Sequence, residues 1–68
     1  MSQWKVVFKS GESYQAEIVK DVLEDHGLHP VIVNKKDSSY HFGYFEVHVE
    51  THEVLDSMQL IKNEINFE

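Results

Sequence analysis

The 68-residue sequence has no cysteine and no arginine, a single proline and three glycines. Without cysteine it forms neither a disulfide framework nor a thiolate zinc site, which are common reinforcements of very small secreted domains. It also lacks an apolar run of about 18 residues, and a basic segment that leads into a shorter apolar one. We therefore expect a single domain over residues 1–68 in a reducing cytoplasm, with neither a signal peptide nor a membrane span.

Positive charge is scarce, because six lysines stand against twelve acidic residues and the formal net charge is −6. Such a chain repels phosphate backbones, and arginine, the side chain best suited to bidentate contacts with phosphate and guanine, is absent. The adjacent Lys35 and Lys36 are the one local positive cluster in the sequence. We therefore expect no nucleic-acid partner.

The hydrophobic pattern predicts the order strand, helix, strand, strand, helix. Alternating or continuous apolar residues indicate strands over residues 4–8, 29–34 and 45–49. A stripe at helical spacing predicts a helix that Gly27 closes in a left-handed conformation. The members of that stripe are Ala16, Ile18, Val19, Val22 and Leu23.

A second helix is expected after the third strand, with Thr51 as its N-cap. Its apolar stripe consists of Val54, Met58, Ile61 and Ile65. Leu60 lies off this stripe and is either an ordinary exposed leucine or part of a contact with another chain.

These elements predict an α+β fold with a ferredoxin-like split β-α-β arrangement and the order β-α-β-β-α. The helical crossover makes the first two strands parallel, and the third strand returns antiparallel between them. Both helices are then expected on one face of the three-stranded sheet. This placement puts Lys5 and Lys9 opposite Glu46 and Glu50.

The first helix reads YQAEIVKDVLEDHG over residues 14–27 and is followed by a Val/Ile strand that ends at Asn34. The pattern resembles a small bacterial family of prokaryotic signal-transducing proteins, and the resemblance spans nearly the whole chain. Members of that family have a fold similar to the PII nitrogen-regulatory proteins. The resemblance implies a small, non-enzymatic regulatory, signal-transducing or protein-interaction module, and it supplies no catalytic residues.

The resemblance also implies a binding segment, because the connection between the second and third strands of PII proteins touches their target proteins. Here that connection is an irregular loop over residues 34–43, with Tyr44 beside it. Its aromatic rings are suitable interface anchors, although packing, in which they begin the third strand and cover the core, is the alternative that small cores favour. The candidate binding residues are Lys35, Lys36, Tyr40, His41, Phe42 and Tyr44.

The sequence predicts neither a metal site nor an active site. His41, His48 and His52 are the most plausible metal ligands, but nothing in their spacing fixes a coordination geometry. No serine lies in a Gly-x-Ser-x-Gly motif, and no convergent set of polar residues is recognisable. We therefore expect no cofactor and no enzymatic activity.

Two other functions stay open. The protein could sense a small ligand in a cleft between subunits, or it could be a self-associating structural module. A homodimer would use the edge strand over residues 4–8, with Trp4 and Leu60 as contacts. A monomer would instead use Lys5 and Lys9 to discourage edge pairing, and it would leave the loop and the open sheet face as docking surfaces.

Overall fold

The computed structural model describes residues 3–37 and 42–67. These residues form the α+β order that the sequence predicts. The elements are β1 (Trp4–Ser10), α1 (Ser13–Asp25), β2 (Val31–Asp37), β3 (Phe42–Glu50), a 3₁₀ turn (Thr51–Glu53) and α2 (Val54–Glu64). Neither helix is long and apolar enough to cross a membrane within the described ranges.

The three strands are arranged in the order β1-β3-β2, and β3 pairs antiparallel with both neighbours. The predicted central position of the third strand is therefore confirmed. Lys9 lies opposite Glu46 as expected, but Trp4, not Lys5, lies opposite Glu50. The difference arises because the register shifts between Val6 and Phe8, where β1 has one extra residue.

The same shift changes which face of β1 is buried. Alternation predicts that Trp4, Val6 and Phe8 share the core face. In the structure Val7 is buried and Phe8 packs against the core, whereas Trp4 and Val6 are 46% and 45% exposed. A bulge reverses which residues point inward and which point outward on its two sides. The apolar side chains in the first half of β1 therefore lie on the face of the sheet that is turned away from the core.

The irregular loop predicted over residues 34–43 is mostly strand. Asn34 pairs with Phe45, Lys35 with Tyr44 and Lys36 with Gly43, so the hairpin continues to the pair Asp37 and Phe42. The aromatic residues at the start of β3 favour extended backbone and pair with the polar end of β2. A Cβ at Gly43 would lie 2.7 Å from the Lys35 carbonyl oxygen, so this close approach of the two strands requires glycine.

Helix α1 packs on the sheet through a narrower stripe than predicted. Ala16, Val19 and Leu23 are fully buried, whereas Ile18 is exposed. The helix ends as predicted at Gly27, which has a φ of +82°. The Gly27 N–H donates to the Glu24 carbonyl at 2.9 Å and the Leu28 N–H to the Leu23 carbonyl at 3.0 Å, which is a Schellman motif.

Helix α2 is rotated relative to its predicted stripe. Met58 is exposed, whereas Leu60 is half-buried and packs against the core with Val54 and Ile61. The fully buried residue of this helix is Ser57, whose small side chain allows α2 to come close to the core. Leu60 is therefore not an ordinary exposed leucine. The predicted stripe was inaccurate because it included only apolar residues and so left out the buried Ser57.

Thr51 is not the N-cap of an α-helix, since the 3₁₀ turn begins there and no side chain caps it. Its N–H and its hydroxyl both donate to the Gln3 carbonyl oxygen, at 3.0 and 3.1 Å. Thr51 therefore ties the end of β3 to the start of β1.

The hydrophobic core forms between the helices and the sheet. It consists of Val7, Ala16, Val19, Leu23, Val47 and Val49.

Candidate functional site

The two faces of the sheet have different surroundings. Val47 and Val49 of the central strand are fully buried in the core with α1. Both helices contact β1 and β3, and they contact each other, so they cover the same face. Because side chains alternate along a strand, Glu46, His48 and Glu50 project from the opposite face, which carries no helix of the described chain. We call it the open face.

Residues directly opposite each other in adjacent antiparallel strands share a face, so the register gives the composition of the open face. The edge strands contribute apolar side chains on both sides of a polar central strand. His48 lies between Val6 and Val31, and Glu46 lies between Lys9 and Val33. The open face comprises Trp4, Val6, Lys9, Val31, Val33, Lys35, Tyr44, Glu46, His48 and Glu50.

Large apolar side chains are accessible on this face. Trp4, Val6 and Val31 are each between 45% and 46% exposed, and Val33 is half-buried. They belong to the two edge strands, so they form two apolar flanks on either side of β3. Each flank is therefore an exposed apolar strip bordered by the polar residues of β3.

The centre of the open face holds a histidine–carboxylate pair that is largely withdrawn from solvent. The His48 Nε2 lies 2.9 Å from the Glu46 Oε1, and the two side chains are only 18% and 9% exposed. Withdrawing a carboxylate from water is unfavourable unless it is paired, and His48 supplies the partner. The face is thus preorganised around a fixed polar centre, although no helix lies over it.

Charge is distributed unequally along the strands of the open face. At the hairpin end, the Lys9 Nζ lies 5.0 Å from the centre of the Tyr44 ring, a cation–π contact, and Lys35 pairs with Tyr44 from the other side. At the other end, Glu50 lies opposite Trp4. The face therefore has a basic end and an acidic end, separated by the Glu46–His48 pair.

The structure brings together only part of the predicted binding segment. Lys35 and Tyr44 are cross-strand neighbours on the open face, whereas Lys36 pairs with Gly43 and belongs to the other face. The backbone of Phe42 pairs with Asp37. Tyr40 and His41 lie outside the described residues.

The residues that sequence reasoning missed are those on the first half of β1 and along β3. The sequence predicts Trp4 and Val6 on the core face of β1, with Trp4 also a candidate dimer contact, and it places Glu46 and His48 on the polar face of β3, with His48 also a candidate metal ligand. A usable signal was present, because Val47 and Val49 already account for the buried face of β3. The residues between them must then line the opposite face, where the predicted architecture places no helix.

A second polar cluster fixes the connection between α1 and β2. Glu53 is 5% exposed, and its Oε1 accepts the His29 backbone N–H at 3.0 Å. Its Oε2 lies 2.9 Å from the His29 Nδ1 and 3.8 Å from the His52 Nε2. Glu53 therefore joins the start of β2 to the 3₁₀ turn that follows β3, which is a structural role.

The pKa values of this pair are displaced in opposite directions. Burial raises the pKa of the Glu53 carboxyl, but the hydrogen bonds from the His29 ring and backbone, with the attraction of the His29 charge, outweigh it. The pKa of Glu53 consequently lies below its ordinary value of 4.5. The hydrogen bond to Glu53, followed by the attraction of its charge, raises the pKa of His29 above 6.5.

The histidines considered as metal ligands are engaged elsewhere. His48 faces Glu46, and the His52 Nδ1 lies 3.5 Å from the Glu50 Oε2. His41 lies outside the described residues. Within residues 3–37 and 42–67, no group of three or more histidine, cysteine or acidic side chains is arranged to hold a metal ion.

A shallow groove of about 280 Å³ lies between the end of α1 and helix α2. The ion pair between the His26 Nε2 and the Glu64 Oε2, at 3.1 Å, spans the two helices beside it. Leu28 and Leu60 supply its apolar part. Its volume is at the lower limit for a small-molecule pocket. The groove is lined by His26, Leu28, Asp56, Gln59, Leu60, Asn63 and Glu64.

No protein-family model, curated protein or solved structure matches this chain. The resemblance of residues 14–27 to signal-transducing proteins accordingly stays a prediction. Among the features of the described residues, the open face combines accessible apolar area, a preorganised polar centre and a gradient of charge.

Proposed function

We propose that the protein is a small, non-enzymatic regulatory or signal-transducing module that acts by binding a protein through the open face. The adjoining end of the β2–β3 hairpin, with Lys35 and Tyr44, forms one border of this binding surface. The absence of cysteine supports a role in a reducing cytoplasm, and the excess of acidic residues argues against nucleic acid as the partner.

The observation that carries this proposal is the exposure of Trp4, Val6 and Val31 around the Glu46–His48 pair, which is already mostly withdrawn from water. Leaving such side chains in water forgoes the favourable free energy of burial, roughly 25 cal/mol for each Å² of apolar surface. A protein that docks on the open face recovers this free energy. Tryptophan is also among the side chains that most often dominate binding energy at protein interfaces.

The geometry favours a protein surface over a small molecule as the ligand. Side chains of three adjacent strands form a broad area with accessible apolar flanks on both sides of the polar centre. Small ligands bind mostly in concave pockets that enclose them. The resemblance to PII-like signal-transducing proteins also supports a partner-binding role.

Photo-crosslinking in cells that naturally make the protein tests this proposal. A photoreactive amino acid replaces Val31 on the open face, and the control places it at Leu55 on α2, which is 82% exposed. We expect discrete crosslinked species from position 31 and not from position 55. Equal crosslinking from both positions, or none from either, contradicts the proposal.

A further inference from the structure

We propose that the protein which covers the open face is a second copy of this chain, stacked face to face with its strands running in the opposite direction. This inference rests on the proposed function, since it names the partner of the same surface. The resulting dimer has four layers, with helices outside and two sheets inside. Its two-fold axis lies between the sheets and runs across the strands.

The shape of the chain supports such stacking. Its Cα atoms extend over 36 × 35 × 14 Å, so the molecule is a thin slab of one helical layer and one sheet. A standard interface buries about 800 Å² of each partner. That area is roughly a sixth of the 4972 Å² of accessible surface.

The charges of the open face determine the alignment. Along β3 the outward residues are Tyr44, Glu46, His48 and Glu50 in that order, and Lys9 and Lys35 lie near the Tyr44 end. A two-fold axis across the strands, placed between Glu46 and His48, puts each Glu46 over the His48 of the partner subunit. It also brings the basic end of each chain to the acidic end of the other.

A two-fold axis along the strands gives the alternative alignment, and this one is unfavourable. It places Glu46 over Glu46 of the partner subunit and Glu50 over Glu50 of the partner subunit. Like charges in direct opposition destabilise an interface, whereas complementary charges fix its orientation. Of these two alignments, only the one with the axis across the strands is self-complementary in charge.

The apolar flanks are consistent with the same arrangement. With the axis across the strands, each edge strand lies over its own copy in reverse, so Val31 meets Val33 of the partner subunit. On the other flank, Val6 meets the aliphatic stem of Lys9 of the partner subunit, and Trp4 extends beyond it. The valines of the two chains pack together and exclude water on one side of the polar centre, as interdigitating side chains do between stacked sheets.

Sedimentation velocity over a concentration series, from low micromolar to millimolar, tests the proposal on the complete chain. The wild type is expected to shift from monomer to dimer. Val31→Lys should raise the dimer dissociation constant at least tenfold, equivalent to about 1.4 kcal/mol, because it places a charge in the apolar flank. The matched control Leu55→Lys, on exposed α2, should leave the dissociation constant unchanged.

Charge reversal tests the alignment. Lys35→Glu alone and Glu50→Lys alone should each weaken the dimer, since each one sets like charges at both ends of the antiparallel pair. The double variant restores opposite charges there and should restore most of the affinity. Circular dichroism melting curves of all variants show whether a loss of dimer reflects a loss of folding.

A wild-type chain that remains monomeric throughout the series overturns the inference, and so does a dimer that Val31→Lys leaves intact, because that dimer uses an edge strand or a helix. Crosslinking from position 31 separates this inference from the proposed function. A crosslinked species of twice the chain mass supports both. A species that contains a different protein overturns the self-association but leaves the binding module standing.

Discussion

Replacing Glu53 with glutamine should lower the stability of the fold more than any other single carboxylate-to-amide change in the described chain. The buried carboxylate accepts two hydrogen bonds from His29, at 3.0 Å from its backbone and 2.9 Å from its ring. A hydrogen bond to a charged group contributes roughly 1.5–3 kcal/mol. Glutamine fills the same volume and retains one acceptor, so we expect a loss of about 2 kcal/mol at pH 6.

For a domain of this size, a loss of about 2 kcal/mol corresponds to a fall in Tm of roughly 8–16 °C. Thermal and urea unfolding, followed by circular dichroism, measure it. Glu24→Gln is the matched control, because Glu24 is an exposed residue of α1. Its effect should stay within about 0.5 kcal/mol. Equal melting temperatures for the two variants would refute a stabilising role of the buried carboxylate.

The dependence of this effect on pH follows from the two displaced pKa values. The folded-state pKa of Glu53 lies below 4.5, so its contribution is complete above that value and is lost as the pH falls through the folded pKa. The pKa of His29 lies above 6.5, so its contribution is complete below 6.5 and is lost as the pH rises through the folded pKa. His52 and Glu50 also face the pair.

The stability difference between wild type and Glu53→Gln should therefore be greatest between about pH 4.5 and 6.5 and decrease on both sides. His29→Ala retains the backbone N–H that donates to Glu53, so it should remove mainly the alkaline decrease. Because the His29 ring is 78% exposed, added salt should reduce the part of the stability difference that comes from its attraction to Glu53. A difference that stays constant from acid to alkaline pH contradicts the assignment of these groups.

Three further substitutions test the backbone and the core by urea unfolding. Gly27→Ala should destabilise by about 1 kcal/mol, because φ is +82° there, and an unchanged midpoint would mean that the Schellman turn relaxes freely. Gly43→Ala should destabilise the hairpin, since its Cβ would lie 2.7 Å from the Lys35 carbonyl oxygen; Gly11→Ala, which meets nothing within 4 Å, is the control. Ser57→Ala should stabilise by about 1 kcal/mol, because the buried hydroxyl has no hydrogen-bond partner among the described residues, and a loss of stability would indicate that it has one.

The arrangement of elements was predictable from the sequence because each depends on a local signal. Gly27 ends α1, the crossover length makes β1 and β2 parallel, and the valines of β3 alternate without interruption. The hydrophobic periods fix which segments are helices and strands, and the rule that strand–helix–strand crossovers are right-handed limits how they connect. Few topologies satisfy both conditions. The central position of β3 and the burial of Val47 and Val49 followed from these signals.

The face of each side chain was harder to predict where one residue breaks the period. The extra residue in β1 is an ordinary valine, and nothing in its type distinguishes a bulged position from a paired one. Since Val6 and Val7 are chemically equivalent, only the pairing with β3 decides which of them is buried. In α2 the inward position belongs to Ser57, a polar residue that hydrophobic periodicity does not count.

The composition of the open face was predicted only in part for a related reason, and that reason bears on how the face would bind. Glu46 and His48 resemble solvated residues in the sequence, yet they are largely withdrawn from water and satisfy each other. Burying such a pair further brings a desolvation cost that its own attraction scarcely exceeds. The affinity of a stacked dimer must therefore come mainly from the valines on the edge strands. The charged residues contribute the alignment, because stacking about an axis along β3 places Glu46 and Glu50 over their own copies.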